Sequence, residues 1–178
     1  MMALAELRDN VFLIGIMGAG KTTVARRLAR DMHVAAIDVD AFMRRSYGKD
    51  ATRIYKEVGE RRFREIEIEM LKCCADLGPA IISCSEGVVA TEEGRRVLAE
   101  RGFAVLLETT CDGALDRIRS LRTRPLLATG TDAEEVAAER KPQLEASAQA
   151  TVDVFDKSTG LVARNIEQML KDEGIFKE

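Results

Sequence analysis

Residues suited to metal binding and thiol chemistry are scarce in this 178-residue chain, which has one histidine and four cysteines, none of them in a C-x-x-C pair. A zinc site needs several such ligands at close spacing, and Cys–His catalysis would depend on His33 alone. We therefore expect free thiols in a reducing compartment. Only three prolines occur and no Gly-, Ser- or Pro-rich linker divides the chain, so we expect one domain over residues 1–178.

An excess of basic residues and a long apolar run are also lacking. Lys and Arg number 27 against 30 Asp and Glu, which gives a net charge of −3. Nucleic-acid binding requires a basic surface, and a membrane span requires about 20 apolar residues. Residues 1–10 show no signal-peptide pattern. We expect a cytoplasmic monomer that acts on a small molecule and has neither nucleic acid nor membrane as a partner.

Apolar, β-branched runs alternate with helical patterns along the whole chain. Continuous apolar strands separated by helices are typical of a parallel sheet covered on both faces. We therefore predict a three-layer α/β fold. The predicted strands are 11–14, 35–38, 80–84, 103–108 and 151–155, and the predicted helices are 21–32, 39–47, 52–77, 92–101, 112–121, 133–147 and 161–173.

Residues 15–22 read G-I-M-G-A-G-K-T and match the P-loop motif G-x-x-x-x-G-K-[ST]. A predicted strand precedes the motif and a predicted helix follows it, which is the context that the motif requires. Glycines let several backbone N–H groups point at one anion, and the helix adds the positive end of its dipole. Lys21 would reach the β- and γ-phosphates, and the Thr22 hydroxyl would ligate Mg²⁺. The motif predicts binding of a nucleoside triphosphate.

Two acids follow the second predicted strand, at the edge where open α/β sheets bind ligands. On an extended segment, the alternate spacing of Asp38 and Asp40 would point both to one side. One could hold Mg²⁺ through water and the other could orient a substrate hydroxyl. The alternative is a helix N-cap beside a solvated acid.

Arginines provide further candidates. Arg64 and Arg140 each offer a fork for a carboxylate or phosphate, although each also fits a solvated surface charge. The irregular segment 122–132 is predicted to be a mobile lid over the nucleotide, with an ordinary surface loop as the alternative.

In their order and spacing, these motifs resemble those of the shikimate kinases, which are small P-loop kinases. The resemblance covers roughly residues 9–172 and rests on Gly15–Thr23, Asp38-x-Asp40, Phe63-Arg64-x-x-Glu67, Arg124-Pro125-Leu126-Leu127 and Glu139-Arg140-x-Pro142. It implies ATP-dependent phosphorylation of shikimate, in aromatic amino acid biosynthesis, on a P-loop kinase fold with a five-stranded parallel sheet.

The resemblance also implies a role for particular residues. ATP would contact Gly15, Gly18, Ala19, Gly20, Lys21, Thr22, Thr23, Arg117, Arg124 and Lys157, and Mg²⁺ would be held by Thr22 with Asp38 helping through water. The acceptor would contact Asp40, Arg64, Glu86, Gly87 and Arg140, and catalysis would involve Lys21, Asp40 and Arg124.

One segment departs from the family pattern, because Ser85-Glu86-Gly87 stands where the family has three consecutive glycines. Glu86 adds a negative charge beside the expected site of a carboxylate-bearing acceptor. Two like charges about 5 Å apart repel by roughly 3 kcal/mol at an effective dielectric near 20. Glu86 would escape this by turning away or by pairing with Arg64 or Arg140. Three hypotheses stay open: a shikimate kinase, a sister kinase for another small hydroxylated acceptor, and a non-catalytic nucleotide-binding protein.

Overall fold

A five-stranded parallel sheet forms the centre of the protein, in a computed structural model that describes residues 6–110, Ala114 and residues 132–177. Its strands stand in the order β3–β4–β2–β5–β6. They are β2 (Asn10–Ile14), β3 (Ala36–Asp38), β4 (Ile81–Ser83), β5 (Gly102–Glu108) and β6 (Ala150–Asp153). A separate antiparallel pair joins β1 (Glu6–Leu7) to β7 (Phe176–Lys177). The predicted five-stranded parallel sheet is therefore confirmed, whereas the small terminal pair was not predicted.

Six α-helices within the described residues surround the sheet. They are α1 (Lys21–Met32), α2 (Val39–Tyr47), α3 (Ala51–Ala75), α4 (Glu92–Glu100), α5 (Ala133–Ser147) and α6 (Thr159–Asp172), with a 3-10 helix at Glu86–Ala90. Each matches a predicted helix to within two residues at either end. The predicted helix 112–121, apart from Ala114, and the predicted lid 122–132, apart from Asp132, lie outside the described residues.

The two faces of the sheet are covered by different helices, and the side-chain alternation of β2 shows how. Val11 and Leu13 pack with α1 and α6 in one apolar cluster. Phe12 and Ile14 pack with α3 and α4 in a second cluster on the opposite face. Since successive side chains of a strand point to opposite faces, a continuous apolar strand requires cover on both sides. This is the three-layer arrangement that the apolar runs predict.

The sheet places its ligand-binding edge at β2. After β2 and α1, the chain forms β3 and β4 on one side of β2. It later forms β5 and β6 on the other side of β2. In open α/β sheets, ligands bind beyond the carboxyl ends of the strands at such a switch point. The loop that follows Ile14 lies there.

Helix α3 is interrupted, which the sequence pattern did not indicate. Gly59 adopts φ 76° and ψ 171°, so residues 51–58 and 60–75 form two helical segments rather than the single predicted helix 52–77. A third, smaller apolar cluster of Met43, Ile54, Phe63 and Ile66 holds both segments against α2. These elements form one wall of the cleft described below. No helix in the described part of the chain is long and apolar enough to cross a membrane.

Candidate active site

A cleft of about 970 Å³ lies at the carboxyl edge of the sheet and brings most of the predicted site residues together. Its lining includes Gly18, Ala19, Gly20, Lys21, Thr22, Thr23, Asp38, Asp40, Arg64, Glu86, Gly87, Arg140 and Lys157. Gly15 does not line the cleft but lies at the base of the loop. Arg117 and Arg124 fall outside the described residues.

The P-loop forms because its glycines adopt backbone conformations that other residues rarely adopt. Gly18 has φ 83° and Gly20 has φ 90°. A Cβ on Gly18 would lie 2.1 Å from the backbone oxygen of Ala114, so the loop also requires glycine at this position for space. These conformations turn the chain sharply from β2 into α1.

The amino end of α1 is suited to an anion. Helices α2 to α6 each begin with a side-chain cap, provided by Asp38, Asp50, Thr91, Asp132 and Ser158. Helix α1 instead begins after Gly20, and within the described residues it has neither a side-chain cap nor an acid in its first turn. Its first N–H groups and its dipole are therefore available to a phosphate.

Lys21 curls back over the loop. Its Nζ donates to the backbone oxygens of Gly15 at 2.7 Å and Ile16 at 3.0 Å. The ammonium group thus lies at the cleft, beside the N–H groups of the loop. This position matches the phosphate-binding role that the motif predicts.

The Thr22 hydroxyl connects α1 to the ends of two strands. It donates to Asp38 Oδ2 at 2.6 Å, and its Oγ1 lies 3.2 Å from Ser83 Oγ. A hydroxyl and a carboxylate oxygen are hard ligands of the kind that Mg²⁺ takes together with water and phosphate oxygens. In the described part of the chain, no group of three or more His, Cys, Asp or Glu is placed to hold a metal.

The predicted extended arrangement of Asp38 and Asp40 is wrong. Asp38 is the N-cap of α2, and its Oδ1 accepts from the Ala41 N–H at 2.8 Å. Asp40 lies in the first turn of α2. Both residues nevertheless line the cleft, because the helix starts at the strand end. Asp38 uses one carboxylate oxygen as the cap and the other toward Thr22, so the capping and ligand-binding alternatives are combined in one residue.

Arg64 forms a buried ion pair with Glu67 on the same helix. Arg64 Nη1 lies 2.5 Å from Glu67 Oε2, and the two side chains are only 11% and 5% exposed. Burial raises the pKa of Glu67, the charge of Arg64 opposes that shift, and the charge of Asp40 adds to it. Arg64 Nε is buried without a hydrogen-bond partner among the described residues.

Gly87 makes room for this ion pair. A Cβ on Gly87 would lie 1.8 Å from Arg64 Nη1 and 2.4 Å from Glu67 Oε2. The 3-10 helix therefore packs its backbone against the pair. This explains why the last of the three positions stays glycine while the middle one carries a side chain.

Arg140 reaches the cleft from α5. Its side chain is 7% exposed, and Nη1 donates to Glu139 Oε1 at 2.8 Å. Glu139 itself is 65% exposed, so it can move into solvent at small cost. Arg140 is thus held by an exchangeable partner, whereas Arg64 is held by a buried one.

Glu86 begins the 3-10 helix, is half-buried and lines the cleft. The expected pairing with Arg64 or Arg140 is wrong, because those arginines pair with Glu67 and Glu139. The other alternative, that the Glu86 side chain turns away from the cleft, stays a prediction. Within the described part of the chain, Glu86 has no ion-pair partner.

Lys157 lies at the other end of the cleft, beyond β6. Its Nζ donates to the backbone oxygen of Asp153 at 3.0 Å and to Asp153 Oδ2 at 2.5 Å. The Lys157 hydrogen bond and the Phe155 N–H lower the pKa of Asp153. These contacts fix the loop between β6 and α6 at the edge of the cleft.

Two polar residues of the site were not assigned a role from the sequence. Ser83 ends β4 and contacts Thr22, while Glu67 holds Arg64. A polar residue at the end of a buried strand and an acid three residues after an arginine were the available signals. The thiol Cys84 also lines the cleft, but burial raises its pKa and keeps it neutral. Cys73 is exposed, while Cys74 and Cys84 are buried.

The comparisons with known proteins agree with this geometry. A shikimate kinase family model matches residues 17–171. A curated shikimate kinase of Vibrio parahaemolyticus is 36% identical over 172 residues, which cover 95% of this chain and 99% of that protein. The structure of an Acinetobacter baumannii shikimate kinase in complex with shikimate is similar with a TM-score of 0.86 and 28% identity, covering 93% of this chain and 94% of that one.

A second solved structure gives the same result. The Aquifex aeolicus shikimate kinase aligns with a TM-score of 0.79 and 28% identity, over 93% of this chain and 98% of that one. Sequence and fold agree over nearly the whole length of both chains. The chain therefore belongs to the shikimate kinase family.

Proposed function

We propose that this protein is an ATP-dependent kinase that transfers the γ-phosphoryl group to a hydroxyl of shikimate, giving shikimate 3-phosphate. One observation carries the proposal: the P-loop and two arginines, Arg64 and Arg140, line the same cleft. The P-loop suits a triphosphate, and the arginines suit a carboxylate. Family membership supports shikimate as the acceptor.

The donor end would bind ATP through the P-loop N–H groups and Lys21, with Lys157 bordering the nucleotide. Thr22 and Asp38 have suitable oxygen ligands for Mg²⁺, which when bound would neutralise charge on the β- and γ-phosphates. Arg117 and Arg124 lie outside the described residues. Their contact with ATP remains a proposal that rests on the family motif.

At the acceptor end, Arg140 would exchange Glu139 for the substrate carboxylate, while Arg64 keeps its buried partner Glu67 and presents its remaining donors. Asp40 lines the same cleft and would orient the attacking hydroxyl. Phosphoryl transfer has a loose transition state, so positioning and charge stabilisation supply most of the catalysis. The residues present match that requirement.

We also propose that the chain acts as one domain, as a cytoplasmic monomer with no nucleic-acid partner. The net charge of −3 supports the last point. A second candidate is a sister kinase with an uncharged hydroxylated acceptor, and it is favoured by Glu86, which lines the cleft and has no ion-pair partner among the described residues. The third hypothesis, a non-catalytic protein, is disfavoured because Lys21, Thr22, Asp38 and Asp40 all line the cleft.

An acceptor screen distinguishes the three. Purified protein is given Mg-ATP with shikimate, with uncharged polyols, or without acceptor, and ADP release is measured. Shikimate-dependent release that is lost in Lys21→Ala supports the proposal. Release with polyols alone favours the sister kinase, and ATP binding with no acceptor-dependent release favours the non-catalytic protein.

A further inference from the structure

The acceptor end of the cleft, here called the acceptor wall, is lined by Asp40, Arg64, Glu67, Glu86, Gly87 and Arg140. Its glutamates, and the nearby Glu139, differ in whether an arginine is paired with their negative charge. Glu67 is paired with Arg64, and the exposed Glu139 pairs with Arg140. Glu86 stands on the same wall, half-buried, with no ion-pair partner among the described residues. The wall therefore carries one glutamate whose charge no neighbouring arginine offsets.

The backbone places Glu86 next to the two helices that carry the arginines. Gly87, the next residue, packs directly against the Arg64–Glu67 pair. A Cβ added to Gly87 would lie 1.8 Å from Arg64 Nη1. Helix α5 packs against the same 3-10 helix, and its buried residues Val136, Arg140 and Leu144 lie one turn apart. Glu86 thus begins a short helix that contacts both the helix that carries Arg64 and the helix that carries Arg140.

We propose that Glu86 is a specificity-determining residue that lowers the enzyme's preference for a carboxylate-bearing acceptor over an uncharged one. The proposal rests on the proposed function, since it concerns the acceptor end of the same cleft. An acceptor carboxylate bound by Arg140 would meet the Glu86 charge at short range, whereas an ester or a polyol would not. The side chain is half-exposed, so solvent screens the repulsion substantially.

The test compares shikimate with its methyl ester, which keeps the ring and hydroxyls but removes the charge. Steady-state kinetics are measured for the wild type and Glu86→Gln. Glu100→Gln is the matched control, because it removes one charge from an exposed residue at the end of α4, away from the cleft. We expect Glu86→Gln to raise the ratio of kcat/KM for shikimate to that for the ester by roughly tenfold. The change should come from the KM for shikimate, with kcat changed less than about twofold.

Two results would overturn the inference. One is a fall in the ratio, and the other is an unchanged ratio. An unchanged ratio with an equal loss for both acceptors would mean that Glu86 accepts hydrogen bonds from the shared hydroxyls. Calorimetric binding of both acceptors to each variant provides a readout that does not require turnover. If no variant phosphorylates shikimate but Glu86→Gln still binds it more tightly than the wild type, the proposed function fails and the selectivity inference stands. Binding of neither acceptor by any variant overturns both.

Discussion

Substituting Gly87 with alanine tests whether the acceptor wall is built around the Arg64–Glu67 ion pair. The added Cβ would overlap Arg64 Nη1 at 1.8 Å and Glu67 Oε2 at 2.4 Å. Neither side chain can simply swing away, because they are 11% and 5% exposed. The pair must separate, or the 3-10 helix must move off α3.

The magnitude follows from the burial of the pair. Breaking a buried ion pair costs about 3–5 kcal/mol, and partial relaxation of the backbone lowers that to roughly 2–3 kcal/mol. For a chain of this length, 1 kcal/mol shifts Tm by about 2–4 °C. Gly87→Ala should therefore lower Tm by roughly 4–12 °C, and it should raise the KM for shikimate because Arg64 is displaced.

Thermal unfolding followed by circular dichroism, together with steady-state kinetics, measures both effects. Gly160→Ala is the control, since its added Cβ would meet only the flexible end of Arg27 at 3.3 Å and it lies in the first turn of α6. The control should be neutral or slightly stabilising. If Gly87→Ala melts within about 1 °C of the wild type and keeps its KM, the described packing is wrong.

Three further substitutions test separate parts of the site. Asp38→Asn keeps the helix cap but weakens the proposed Mg²⁺ ligand beside Thr22, so the Mg²⁺ concentration needed for half-maximal rate should rise about tenfold. An unchanged Mg²⁺ titration would contradict this. Arg140→Lys loses the planar guanidinium fork, so the KM for shikimate should rise about tenfold while the KM for ATP stays constant. Equal changes in both KM values would count against Arg140 as a ligand of the shikimate carboxylate. Glu67→Gln removes a carboxyl whose pKa burial raises, and which therefore holds its proton more tightly in the folded than in the unfolded state. Its stabilising contribution is present below the ordinary Glu pKa near 4.5 and is lost as pH rises, so the wild-type free energy of unfolding relative to Glu67→Gln should fall above that pH in denaturant titrations. A difference that stays flat or rises with pH would refute it.

The sequence predicts the donor end of the site better than the acceptor end. Lys21 and Thr22 follow from local geometry, because a glycine loop between a strand and a helix has few possible arrangements. Asp38 and Asp40 were placed at the correct edge, and the predicted end of the strand and start of the helix match the structure. The error was to treat Asp40 as part of an extended segment, whereas it lies in the first turn of α2.

The acceptor end depends on contacts between distant segments. The pairing of Arg64 with Glu67 could be anticipated from their spacing on a helix, but its packing against Gly87 joins α3 to the loop after β4. The lack of an ion-pair partner for Glu86 among the described residues likewise depends on which distant segments meet at the cleft. Periodicity along one segment carries no information on such contacts.

Transfer of a phosphoryl group from ATP to shikimate in this cleft would leave a product that can be observed directly. The most direct measurement is ³¹P NMR of a reaction containing the protein, Mg-ATP and shikimate. We expect a phosphate monoester signal that grows with the ADP signals, requires shikimate and is absent with Lys21→Ala. ATP consumption that yields only inorganic phosphate, or a monoester that Lys21→Ala forms at the wild-type rate, would contradict it.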